Sequence, residues 1–157
     1  MADSTMTTLE KILDAATQVF AREGFAGATV DEIARTAGVN KAALYYHVGN
    51  KERLYERVIT ENIGRVADRL EQRIDPDMDA RDALENLVDL FSEFFSATPL
   101  MPRIMVQEIA RGGDRLSINV LEQMARLIKC TARVVGLAVE QGGKPVNPLI
   151  PHIMLVA

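Results

Sequence analysis

The run from Thr29 to Leu54, TVDEIARTAGVNKAALYYHVGNKERL, constrains the fold of this 157-residue chain more than any other stretch. Thr29 stands three residues before Glu32, the spacing of a capping box, in which side chains and backbone satisfy each other's orphan groups. Ile33, Ala34 and Ala37 give one apolar stripe and predict a short helix. Gly38 follows, where a chain leaving a helix takes positive φ. Asn40 is placed to cap a second helix, with Leu44 as its inward anchor. Ala34, Gly38 and Leu44 supply the small contact, the tight turn and the core residue that two closely crossing helices need. The second helix then turns Lys41, Ala43, Tyr45, Tyr46 and His47 outward. A helix facing only water has little reason to expose adjacent tyrosines.

A helix entering a major groove can use them on phosphates and thymine methyls. The segment resembles the DNA-binding domain of the TetR (tetracycline repressor) family of bacterial transcription regulators. Thr29, Ile33-Ala34, Ala37-Gly38-Val39, Lys41, Leu44-Tyr45, His47, Lys51 and Leu54 carry the resemblance, and LYYHVGNK (residues 44–51) is close to the tetracycline repressor type. It covers Leu9 to about Leu54. The chain departs from the family pattern at Val48, where many members have an aromatic, and at Ala42, often Gly or Pro. The resemblance implies backbone contacts for Tyr45 and His47, and places Tyr46 where residues vary with operator sequence. Lys41, near the start of the helix, could donate to guanine or to a phosphate. Thr29 could serve as both cap and phosphate contact. Lys51 reads as a phosphate clamp. The expected DNA-binding set is therefore Thr29, Asn40, Lys41, Ala43, Tyr45, Tyr46, His47 and Lys51.

A net charge of −4 does not suit a bulk nucleic-acid binder. Charge is local, however: between Ile33 and Leu54 the cations Arg35, Lys41, Lys51 and Arg53 face one acid, Glu52. A small basic face on an acidic body fits a protein that binds one site specifically.

The first helix is predicted to start at Thr7, with Glu10 completing a second capping box. Leu9, Ile12, Leu13, Ala16 and Phe20 form its inward stripe, and Gly24 ends it. Asn50 caps a long helix reaching about Asp75, before Pro76. Helices follow over about 80–97, with Leu84, Leu87, Val88, Phe91, Phe94 and Phe95 inward, from Pro102 to Gly112-Gly113, and over about 115–140. Asn147-Pro148 predicts a last helix, cut short in the apolar LIPHIMLVA. Family members are usually longer and dimerise through their last two helices, so either the end is incomplete, which is the expectation, or this chain dimerises differently. The expected fold is all-α: a three-helix head in residues 1–50, joined by the long helix to a ligand-binding and dimerisation body in residues 51–157.

The resemblance implies a homodimeric regulator, most simply a repressor, that binds double-stranded operator DNA and responds to a small-molecule effector. Phe91, Phe94, Phe95, Met101, Met105 and Met124 suggest an adaptable apolar pocket, with Gln107, Glu108, Arg111 and His152 as polar candidates; each could equally be core or surface. Two distant histidines and one cysteine make a poor metal set, and no cofactor is expected. Nucleophile-elbow, P-loop and dinucleotide signatures are missing, so no catalytic residue is expected. A helical adaptor acting through a protein partner is one alternative, and an enzyme the more remote one. No stretch approaches the roughly 18 uninterrupted apolar residues of a membrane helix. The N-terminus lacks a secretory pattern and Cys130 has no cysteine to pair with, so a cytoplasmic protein is expected.

Overall fold

The computed structural model describes residues 6–75, 77–144 and 147. Among them are seven helices and no strand: α1 Thr8–Gly27, α2 Val30–Ala37, α3 Lys41–Val48, α4 Lys51–Arg73, α5 Ala80–Ala97, α6 Met101–Ala110 and α7 Ile118–Glu140. The expected last helix and His152 lie outside the described residues.

Local cap chemistry sets the boundaries. Thr7 and Glu10 form the full capping box at α1. Thr29, Asn40, Asn50, Asp79 and Ser117 each accept a first-turn backbone N–H at α2, α3, α4, α5 and α7, which satisfies donors that the helix itself leaves free. At α2 the box is only half formed, because the Glu32 carboxylate bonds Arg22 of α1 instead. Within α1, Gly24 has φ 68° and ψ 173°, so the regular helix stops there as predicted and one further turn follows.

The first apolar cluster joins Ile12, Ala16, Val19 and Phe20 of α1 to Ile33 and Ala34 of α2, Leu44 and Val48 of α3, and Leu54, Tyr55 and Ile59 of α4. It continues through Met101 and Ile104 of α6 to Val120 of α7, so the first four helices and these later ones are joined by shared core. A second cluster packs Val66 and Leu70 of α4 against Leu87, Leu90 and Phe91 of α5 and Val134 and Leu137 of α7. Helix α4, about 35 Å long by its 23 residues, passes through both.

The expected inward face of α5 needs correction. Leu84 and Val88 are 52% and 59% exposed, while Ala83 and Leu90 are buried in their place. Apolar residues occupy more than one side of α5, and only the positions of α4 and α7 decide which side is covered.

Candidate nucleic-acid interface

The turn between α2 and α3 is built from backbone. Gly38 takes φ 67° and ψ 30°, and Val39 N–H reaches back to the Ala34 carbonyl at 3.0 Å. This is the left-handed C-terminal stop that glycine permits at low cost. Asn40 then accepts the Ala43 N–H at 2.7 Å and launches α3 in a new direction. Leu44 and Val48, one helical turn apart, are the buried residues of α3. Their burial turns Lys41, Tyr45, Tyr46 and His47 to the surface, while Ala43 is half-buried.

Tyr46 is 88% exposed, and its ring stands edge-on to His47 at 5.4 Å between centroids. Lys41 is tied across the turn to Asp31 of α2, Nζ to Oδ1 at 2.9 Å, and this hydrogen bond raises its pKa. Lys41 must therefore exchange one acid for another group when it binds anything else. Thr29 is exposed, and its hydroxyl oxygen accepts the Glu32 N–H while its own proton remains free to donate.

Lys51 departs from the clamp expectation. Its ammonium donates to the Phe25 and Ala28 carbonyls at 2.9 and 3.0 Å, and it lies 4.4 Å from the centre of the Phe25 ring. The lysine closes the end of α1 onto the start of α4. The partners lie 23 and 26 residues away, so no local pattern could announce them. Arg53, two residues further along α4, is exposed and runs along Gly49 at the α3–α4 bend. The basic run of the sequence contained it, although nothing there singled it out.

Among the described residues, the expected pocket residues occupy different places in the core and on the surface. Phe91 and Phe95 stack at 6.1 Å and pack in the second cluster. Met101 is buried in the first cluster, with Met105 and Met124 packed on its rim. Gln107 donates to the Ala21 carbonyl of α1 at 3.2 Å. Phe94 lines a cavity of about 60 Å³ with Asn62, Val66 and Leu90, between α4 and α5. Glu108 is wholly buried, and Arg111 is exposed with its guanidinium beside Gly24. Among the described residues no cluster of acidic, histidine or cysteine side chains is arranged to hold a metal ion.

A short capped helix held outward by a left-handed glycine, on a three-helix head carried by a long helix, defines a protein of the helix-turn-helix class. The family described as "Bacterial regulatory proteins, tetR family" matches residues 12–58. The chain belongs to the TetR family. It is 31% identical over 157 residues to the A-factor receptor protein of Streptomyces griseus, a match covering 96% of this chain and 51% of that one. It is 32% identical over 102 residues to the transcriptional repressor NicS of Pseudomonas putida, covering 64% and 48%. The chain thus spans about half the length of these curated relatives. The transcriptional regulator FadR from Bacillus subtilis, solved in complex with stearoyl-CoA, superposes with a TM-score of 0.72 at 20% identity, over 92% of this chain and 79% of that one. At that identity the likeness shows the shared all-α fold. Among the described residues no helix is long and apolar enough to cross a membrane.

Proposed function

We propose that this chain is a cytoplasmic, ligand-responsive transcriptional repressor, with residues 1–50 as its DNA-binding head and residues 51–157 as its effector-binding and dimerisation body. Two copies place α3 in successive major grooves of a palindromic operator. The observation that carries the reading is the outward face of α3. Tyr46 is 88% exposed beside exposed Tyr45 and His47, on a helix whose opposite face is fixed in the core by Leu44 and Val48. Groove contact gives these rings apolar and polar partners together. Thr29 and Arg53 serve as phosphate contacts at two helix starts. Lys41 contributes by leaving Asp31.

The effector is a small apolar or amphipathic molecule bound in the body. The names of the relatives support this: one is a receptor, one a repressor, and the FadR neighbour holds stearoyl-CoA. Exposed apolar residues on α5 (Leu84, Val88) and α7 (Ile118, Leu121) support association with a second copy, since such faces favour being covered. To weaken DNA binding a hundredfold, the effector must favour the released state by about 2.7 kcal/mol.

Selection of duplexes from a random pool by the purified chain tests the proposal. An inverted repeat should emerge, with half-site centres about one or more whole helical turns apart, and affinity should fall steeply with salt. Enrichment of no sequence, with salt-independent capture of a protein instead, would favour the adaptor reading.

A further inference from the structure

Glu108 of α6 is 0% exposed, yet it is a carboxylate. Its Oε1 accepts the Tyr55 hydroxyl at 2.8 Å, and its Oε2 has no hydrogen-bond partner among the described residues. A leucine would fill such a position at lower cost, because a buried polar group loses its hydration and recovers only part of it from one donor. What the bond adds over an apolar contact is direction: one donor on α4 meets one acceptor on α6.

The donor shows what that direction fixes. Tyr55 sits in the second turn of α4 and is itself buried. Its ring meets Phe20 and Phe25, both of α1, edge-on at 4.8 and 5.0 Å between centroids. Tyr55 cannot swing without disturbing the end of α1. Burial, with the Glu108 bond adding to it, pushes the phenol pKa far above its ordinary value, so Tyr55 stays protonated and donates. The flanking contacts run the same way. Gln107, beside Glu108, donates to Ala21 of α1. Arg115, in the α6–α7 corner, places its guanidinium 4.9 Å from the Phe25 ring, which Lys51 also flanks. Gly24 faces the Arg111 guanidinium so closely that an added methyl would lie 3.2 Å from it.

We propose that Glu108 is a positioning residue for the head. Through Tyr55 it holds the end of α1 and the start of α4 against the last turn of α6. Phe20 and Phe25 transmit the position of the phenol to the head. Once Tyr55 leaves, Glu108 loses the donor that reaches it across the joint, and α6 must part from α4 far enough to admit water. The assignment rests on the head being the DNA-reading unit, but the joint can be tested without DNA, so a failure here leaves that reading standing.

Amide hydrogen exchange on the intact chain, compared among wild type, Tyr55→Phe, Glu108→Ala and Glu108→Gln, reads the joint directly. Tyr55→Phe removes one oxygen and keeps the ring, so it carries the test if Glu108→Ala does not fold. Exchange in residues 20–28 and 104–110 should rise together by about tenfold or more in Tyr55→Phe and Glu108→Ala, with residues 80–97 unchanged. Glu108→Gln, which keeps an acceptor for Tyr55, should restore slow exchange. Uniform acceleration over all helices would reduce Glu108 to a general core residue and overturn the proposal. So would unchanged exchange at the joint in Tyr55→Phe, or a glutamine variant as loose as the alanine one.

Discussion

At the scale of single residues, Tyr46 and Lys51 exchange the roles that their chemistry suggests. The aromatic is almost bare and the cation is engaged. Tyr46→Ala removes a ring that supports nothing inside the molecule. It should leave the thermal midpoint where it is while weakening operator binding by about 1–3 kcal/mol, measured by gel shift on the selected duplex. Lys51→Ala removes two hydrogen bonds that fasten α1 to α4. Thermal unfolding should show a loss of about 1–2 kcal/mol in stability before any DNA is added. A stable Lys51→Ala chain with a flattened salt slope would return that lysine to the phosphate-clamp role.

At the scale of elements, the turn between α2 and α3 rests on one backbone conformation. Gly38 lies at φ 67° with nothing within 4 Å of where a Cβ would stand, so substitution there costs conformational energy alone. Gly38→Val should destabilise the head by about 1–2 kcal/mol or more in urea unfolding, and Gly38→Asn by clearly less, since asparagine tolerates the left-handed region. Equal losses would point to a clash instead. The same local logic explains which parts of the fold could be read in advance. Thr7, Thr29, Asn40, Asn50, Gly24 and Gly38 act within four residues of themselves, and the helices begin and stop where they stand. The outward face of α3 was legible because Leu44 and Val48 fix it. Leu84 and Val88 were misplaced because their exposure depends on how α5 meets its neighbours. Glu108 and Tyr55 were not paired at all: 53 residues separate them, and no spacing rule reaches that far.

At the scale of the whole molecule, head and body share one core and several bridges across the α6–α7 corner. Glu56 of α4 accepts bonds from Ser117 and Asn119 at the start of α7, both at 2.7 Å. Those bonds, Ser117 first, hold its pKa below 4.5. A carboxylate held low in the folded chain contributes its full stabilisation above its unfolded value, and loses it as pH falls through the folded one. Thermal unfolding followed from neutral pH down past 4.5 should therefore decline more steeply for wild type than for Glu56→Gln, with the two converging in acid. Parallel curves would remove Glu56 from the acid sensitivity of the joint. The chain also contains three tyrosines and no tryptophan. Of its three phenols, one is buried against a carboxyl group, an arrangement that quenches tyrosine, so its near-ultraviolet emission should come mainly from two lamps on the exposed face of α3. Duplex stacked near those lamps would dim them, so the unlabelled protein carries its own optical gauge of docking.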